Sequence, residues 1–193
     1  MQLKTWTIRD ILGQAPVIPV LTVPQVTEAS ALAAALVAGG LPVLEVTLRS
    51  ADALPAIAAM RAQVPHAVVG AGTVINEAQL AAAAARLGVP MLPGVATATE
   101  LMAALAAGLD TLKFFPAAQA GGVAMLNALA APFPSVRFCP TGGISLDTAG
   151  DYLSLPNVLC VGMSSLTPAA ALAARDYAAI TALARRACGL RRP

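Results

Sequence analysis

Residues 17–23 read Val-Ile-Pro-Val-Leu-Thr-Val and residues 43–49 read Val-Leu-Glu-Val-Thr-Leu-Arg, separated by an alanine-rich stretch that ends at Gly39-Gly40. The flanking runs are short, apolar and rich in β-branched residues, which is strand chemistry. The stretch between them is long enough for a helix of ~10–15 residues, so the segment reads strand, helix, strand. Two strands joined by such a crossover are parallel neighbours, and this unit decides the fold class. The same pattern recurs along the chain. Further strand-like runs are VVGAGTV (68–74), PMLPGVAT (90–97), TLKFFPA (111–117), RFCPTGGI (137–144) and VLCVGMSSL (158–166). Successive starts are 26, 25, 22, 21, 26 and 21 residues apart. The intervening helices open alike, with Thr27-Glu28, Asn76-Glu77 and Thr99-Glu100 each placing a capping residue before a first-turn acid. Gly39, Gly88 and Gly108 mark helix ends.

A leucine-rich solenoid shares the period, but no L-x-x-L-x-L series repeats. A doubly wound sheet favours a G-x-G-x-x-G turn after its first strand, where this chain has Thr22-Val23-Pro24. The pattern therefore predicts an α/β fold of the TIM-type βα-barrel kind, with parallel strands preceded by an N-terminal helix. Seven strands are readable where a closed barrel has eight. The 193 residues predict a single domain over 1–193.

Composition narrows the function. Hydrophobic residues make up 58% of the chain and charged residues 11%, which excludes a disordered coil. The net charge of +2 is spread thinly, so no basic stripe points to nucleic acid. Mean hydropathy is +0.74, but its source is alanine. The longest charge-free runs, residues 114–136 and 152–174, are broken by prolines and do not predict a membrane span. Cys139, Cys160 and Cys188 have no C-x-x-C spacing, and with His66 as the lone histidine no metal or other cofactor is expected. No signal peptide is visible at the N-terminus, so the cytoplasm is the expected compartment.

Polar residues inside apolar strands are costly and therefore informative. In VLEVTLR, Glu45, Thr47 and Arg49 share one face by the period of two, opposite Val46 and Leu48. Glu45 and Arg49 are expected inside the barrel, either as functional groups or as a packing ion pair. The chain has only two lysines, Lys4 and Lys113, and Lys113 lies between Leu112 and Phe114. A lysine held among apolar side chains gives up its proton more readily and becomes a nucleophile toward ketones. The competing reading is a lysine that extends out at the barrel rim. Gly142-Gly143 and Gly162 end the last two strand runs, where βα barrels commonly bind phosphate through backbone N–H groups.

These segments together resemble the 2-dehydro-3-deoxy-6-phosphogluconate (KDPG) and 4-hydroxy-2-oxoglutarate (KHG) aldolase family, from about Ile11 to Ala187. The resemblance is carried by residues 16–20 (PVIPV), 44–49 (LEVTLR), 69–74 (VGAGTV), 112–117 (LKFFPA) and 137–145 (RFCPTGGIS). It implies a class I aldolase of the Entner–Doudoroff pathway, cleaving KDPG to pyruvate and glyceraldehyde 3-phosphate and often KHG as well. By the same resemblance Lys113 is the Schiff-base lysine and Glu45 the general acid/base. Arg49 and Thr73 hold the pyruvyl part, Phe115 and Thr141 line the pocket, and Gly142, Gly143, Gly162 and Ser164 take the phosphate. Met163 stands where the family has a second glycine, and Ser165 where it has a bulky aromatic. A homotrimer acting on small molecules alone, with no nucleic-acid or membrane partner, is also implied.

One departure concerns the scaffold. After the third strand the family has a fourth strand ending in a Ser-Pro-Gly turn, then its own helix. Here residues 76–87 run directly into Gly88-Val89-Pro90. About twenty residues, one βα unit on a ~24-residue repeat, have no counterpart. The strands on either side are expected to become neighbours or to flank a gap, with lower stability and slower catalysis than an eight-stranded relative. The departure keeps two other functions open: a non-catalytic sugar-phosphate binder, and a phosphate-binding isomerase or epimerase that needs no imine.

Overall fold

The computed structural model describes residues 6–76 and 90–190. They fall into two compact units, one drawn from residues 18–89 and 164–188, the other from residues 1–17, 90–163 and 189–193. Among the described residues there are seven strands, all starting within a few residues of the runs read from the sequence.

The first unit holds β1 (Val17–Leu21), α2 (Val26–Ala38), β2 (Val43–Thr47), α3 (Ala53–Gln63) and β3 (Val68–Gly72). The strands are parallel in the order β3-β2-β1, with Val20 opposite Glu45 and Thr47 opposite Gly72. Parallel pairing follows from the helix that returns the chain between each strand pair. β2 is buried along almost its whole length, whereas β3 ends its ladder and is half-exposed, with Gly70 open to solvent. A methyl group added at Gly70 would meet none of the described residues within 4 Å. From further along the chain come α7 (Ala169–Ala173) and α8 (Tyr177–Cys188), the latter packed on α2.

In the other unit, α1 (Ile8–Leu12) is the expected N-terminal helix and precedes β4 (Gly94–Val95), α4 (Ala98–Ala106), β5 (Thr111–Phe114) and α5 (Gly122–Ala130). β6 (Arg137–Pro140), α6 (Ala149–Leu153) and β7 (Val161–Met163) complete it. Its parallel ladder runs β4-β5-β6, and the bridges Phe138–Val158 and Thr141–Gly162 attach the last strand. Among the described residues β4 begins this ladder, and a methyl group at Gly94 would likewise meet none of them within 4 Å. Arg9 ties α1 to the start of β5: its guanidinium donates to Asp110 (2.7 Å), Thr111 Oγ1 (3.1 Å) and Ser135 O (3.2 Å). The core of this unit is Leu101, Leu112, Phe114, Leu126 and Phe138, with the two phenylalanine rings edge to face at 6.1 Å. Cys139 and Cys160 are buried, and neither is in a disulfide. No helix among the described residues is long and apolar enough to cross a membrane.

Helix starts correct the sequence reading. Thr27 does not cap α2; the helix begins at Val26, whose N–H donates to Asp52 Oδ2 at 3.0 Å. The cap of α4 is Thr97 rather than Thr99, and it forms a reciprocal capping box with Glu100. Asn76-Glu77 and Gly88 reach into residues outside the described ones, as does Lys4. Glu100 accepts from Ala96 N, Thr97 N and Thr97 Oγ1, and these bonds, the Ala96 one foremost, hold its carboxyl below the ordinary glutamate range. A depressed folded-state pKa stabilises the fold above the unfolded value and loses that stabilisation as pH falls through the folded value. Loss of the N-cap hydroxyl in Thr97→Ala is expected on its own to cost about 1 kcal/mol at neutral pH. The difference from the parent should shrink in acid, as read from urea unfolding at pH 7 and pH 3.

Candidate active site

Glu45 occupies the middle of β2, half-buried between the buried Leu44 and Val46. Alternation along the strand puts Glu45 and Thr47 on the same face. The space for the carboxylate comes from the neighbouring strand. A methyl group at Gly72 would overlap Oε1, Cδ and Cγ of Glu45, so only a residue without Cβ fits beside it. Thr47 is 2% exposed and donates to Leu21 O at 2.9 Å.

The period-of-two reading of VLEVTLR holds through Thr47 and then fails. Arg49 lies beyond the end of β2, in an exposed turn, so strand alternation does not aim it inward. That turn is fixed by Ser50, whose hydroxyl donates to Val23 O at 2.7 Å. Thr73, in the run VVGAGTV, follows the end of β3 with φ 57°, a left-handed conformation that costs a β-branched residue roughly 1–2 kcal/mol. Its position is set by that backbone turn.

In the other unit, Lys113 sits on β5 opposite Gly94 and Cys139, half-buried between the fully buried Leu112 and Phe114. Phe115 follows immediately, 46% exposed, and the Phe115–Pro116 bond is cis. β6 brings Thr141 alongside: Thr141 N donates to Phe114 O at 2.9 Å, and Thr141 O accepts from Ala117 N at 2.8 Å. Gly142 and Gly143 follow with φ of 103° and 73°, and a Cβ on Gly143 would lie 2.6 Å from that of Ala118. The turn thus needs glycine for both conformation and space. Gly162 pairs with Thr141 across the β6–β7 bridge, leaving no room there for a side chain, and Met163 is buried in β7. Lys113, Phe115, Thr141, Gly142, Gly143 and Gly162 are thereby gathered at one end of a single ladder. Glu45, Arg49 and Thr73 belong to the other unit, as does the exposed Ser164.

Two residues escaped the sequence reading. Gly72 stood only as part of the strand-like run VVGAGTV, although it makes room for Glu45. Thr22 lies one residue past the end of β1, with its hydroxyl 3.0 Å from that of Thr47. The period that singled out Glu45 applies equally to Val20 and Thr22, so the signal was present. Among the described residues no group of three or more His, Cys, Asp or Glu is arranged to hold a metal ion.

A half-buried lysine on a parallel strand, with a glycine-lined turn at the strand ends beside it, defines an α/β enzyme site of the TIM type able to form an imine with a ketone. The family model described as "KDPG and KHG aldolase" matches residues 8–89 and 80–183. The KHG/KDPG aldolase of Escherichia coli K12 is 47% identical over 207 aligned positions, covering 96% of this chain and 97% of that one. The crystal structure of the 2-keto-3-deoxy-6-phosphogluconate aldolase of Zymomonas mobilis ATCC 29191 matches with a TM-score of 0.91 at 44% identity, covering 97% and 98% of the two chains. That of the Legionella pneumophila KDPG aldolase, with pyruvate captured as a covalent carbinolamine, has a TM-score of 0.90 at 39% identity over 94% and 98%. The chain belongs to the KDPG and KHG aldolase family, and it is a lyase.

These matches also locate the scaffold departure. The family model fits in two stretches that share residues 80–89. The alignment to the E. coli relative spans 207 positions against 193 residues here. Part of that relative has no counterpart in this chain.

Proposed function

We propose that this chain is a class I aldolase that cleaves KDPG to pyruvate and glyceraldehyde 3-phosphate, and KHG to pyruvate and glyoxylate. The observation that carries this reading is Lys113, the one lysine among the described residues, set in β5 between two fully buried side chains. The reaction it supports begins with attack of Nζ on the C2 ketone. The carbinolamine loses water to give an iminium, which is an electron sink. Glu45 takes the C4 hydroxyl proton, the C3–C4 bond breaks, and its electron pair moves into the iminium to give the pyruvate enamine. Glu45 returns the proton to C3, and hydrolysis frees pyruvate and the lysine. Arg49 and Thr73 are assigned to the pyruvyl part of the substrate and Phe115 and Thr141 to the pocket wall. The backbone around Gly142, Gly143, Gly162 and Ser164 is assigned to the phosphate. Residues 1–193 acting as one domain in a cytoplasmic homotrimer complete the proposal.

Incubation with pyruvate and borohydride tests it. A reduced pyruvyl adduct at Lys113, located by peptide mass mapping, is expected. Phosphate-ester binding without an adduct would instead indicate a non-catalytic binder, and turnover of a sugar phosphate without one an isomerase or epimerase.

A further inference from the structure

We propose that Thr22 sets substrate preference, selecting 2-oxo acids that carry a hydroxyl at C5 over those that carry a carboxylate there. The inference rests on the aldolase reading above and concerns the same site. A hydroxyl group has one proton to donate. That of Thr47 goes to Leu21 O at 2.9 Å. In the 3.0 Å contact between the Thr22 and Thr47 hydroxyls, Thr22 must therefore be the donor. With its proton committed, Thr22 Oγ1 presents only lone pairs. The residue lies just past the end of β1 and is exposed, so a ligand can reach it. It is also held in place: Ser50 anchors Val23 O and Asp52 anchors Val26 N, on either side of Pro24.

The register gives its distance from the chemistry. Val20 lies opposite Glu45, and the Thr22 hydroxyl, just past the end of β1, meets that of Thr47, which shares the face of Glu45 two residues further along β2. Thr22 is thus one two-residue step, about 6.6 Å, further along the strands than Glu45. With the C4 hydroxyl at Glu45, the next substrate group outward is the C5 substituent. In KDPG that is a hydroxyl, which can donate to Thr22. In KHG it is a carboxylate, whose oxygens only accept and would meet a lone pair.

Cleavage of both substrates by the parent, Thr22→Val and Thr22→Ser supplies the test. Loss of one neutral hydrogen bond in Thr22→Val is expected to lower kcat/KM for KDPG about three- to tenfold. KHG cleavage should be unchanged or faster, and Thr22→Ser should keep the parental ratio. Equal changes on both substrates, or no change on either, overturn the inference. Pyruvate trapping at Lys113 is independent of C5 and reports separately on the parent reading. A parent that traps pyruvate and cleaves both substrates, but whose ratio Thr22→Val leaves untouched, overturns this inference alone. A parent that traps none overturns both.

Discussion

Turnover in Lys113→Arg is expected to fall on the order of 10⁴-fold or more, with no borohydride-trappable adduct. The substitution is sharp because β5 gives the position a fixed setting. Leu112 and Phe114 are fully buried on either side, and backbone bonds join the strand to β4 and β6. Arginine keeps the positive charge but stays protonated and cannot form the imine. Thermal unfolding of the variant should remain close to that of the parent, separating chemistry from fold. Parental turnover in a folded Lys113→Arg chain would remove the lysine from the mechanism.

Gly72→Ala carries the second large effect, although residue 72 is assigned no contact with substrate. Its new methyl group would occupy the space of the Glu45 carboxylate. Either Glu45 moves or β3 draws away from β2, and overpacking of this kind costs about 1–3 kcal/mol. Displacement of a catalytic group by an ångström can cost ~10²-fold in rate, which is the fall expected in kcat for C–C cleavage. Trapping of pyruvate at Lys113 should persist, because imine formation from pyruvate leaves the C4 proton transfer untested. Gly70→Ala is the matched control on the same strand, since a methyl there meets none of the described residues within 4 Å. Equal behaviour of the two variants would show that Glu45 has no positional role.

The strands were legible where an apolar run is bounded by turn residues. β5 and β6 begin at Thr111 and Arg137, as read. β4 is only Gly94–Val95 because Pro90 and Pro93 have no N–H to give a ladder. β7 starts at Val161, since Val158 makes a single bridge to Phe138 before the strand proper. For the candidate site, the period of two located Glu45 but was carried past the strand end to Arg49, where it no longer applies. The left-handed turn at Thr73 was hidden because nothing local marks a threonine for positive φ. The cap of α2 was hidden for another reason: Asp52, its donor's partner, lies 26 residues from Val26.

The α2–α8 packing has a consequence for how the chain acquires its fold. Leu32, Ala33 and Leu36 of α2 and Ile180, Ala184 and Ala187 of α8 are all buried. The Thr181 hydroxyl lies 3.0 Å from Ala35 O, 146 residues earlier. In the other unit, Val161 N donates to Pro16 O at 2.9 Å, again across most of the chain. Neither unit can finish before its late segment has been made, because each takes an early segment and closes it with a late one. A nascent chain that has emerged only through β3 presents α2 without its partner helix. High contact order of this kind slows folding and prolongs exposure of apolar surface to other chains. Production in a cell should consequently respond to chaperone supply and growth temperature, and truncation within α8 should impair recovery of folded material far more than its distance from Lys113 along the chain would imply.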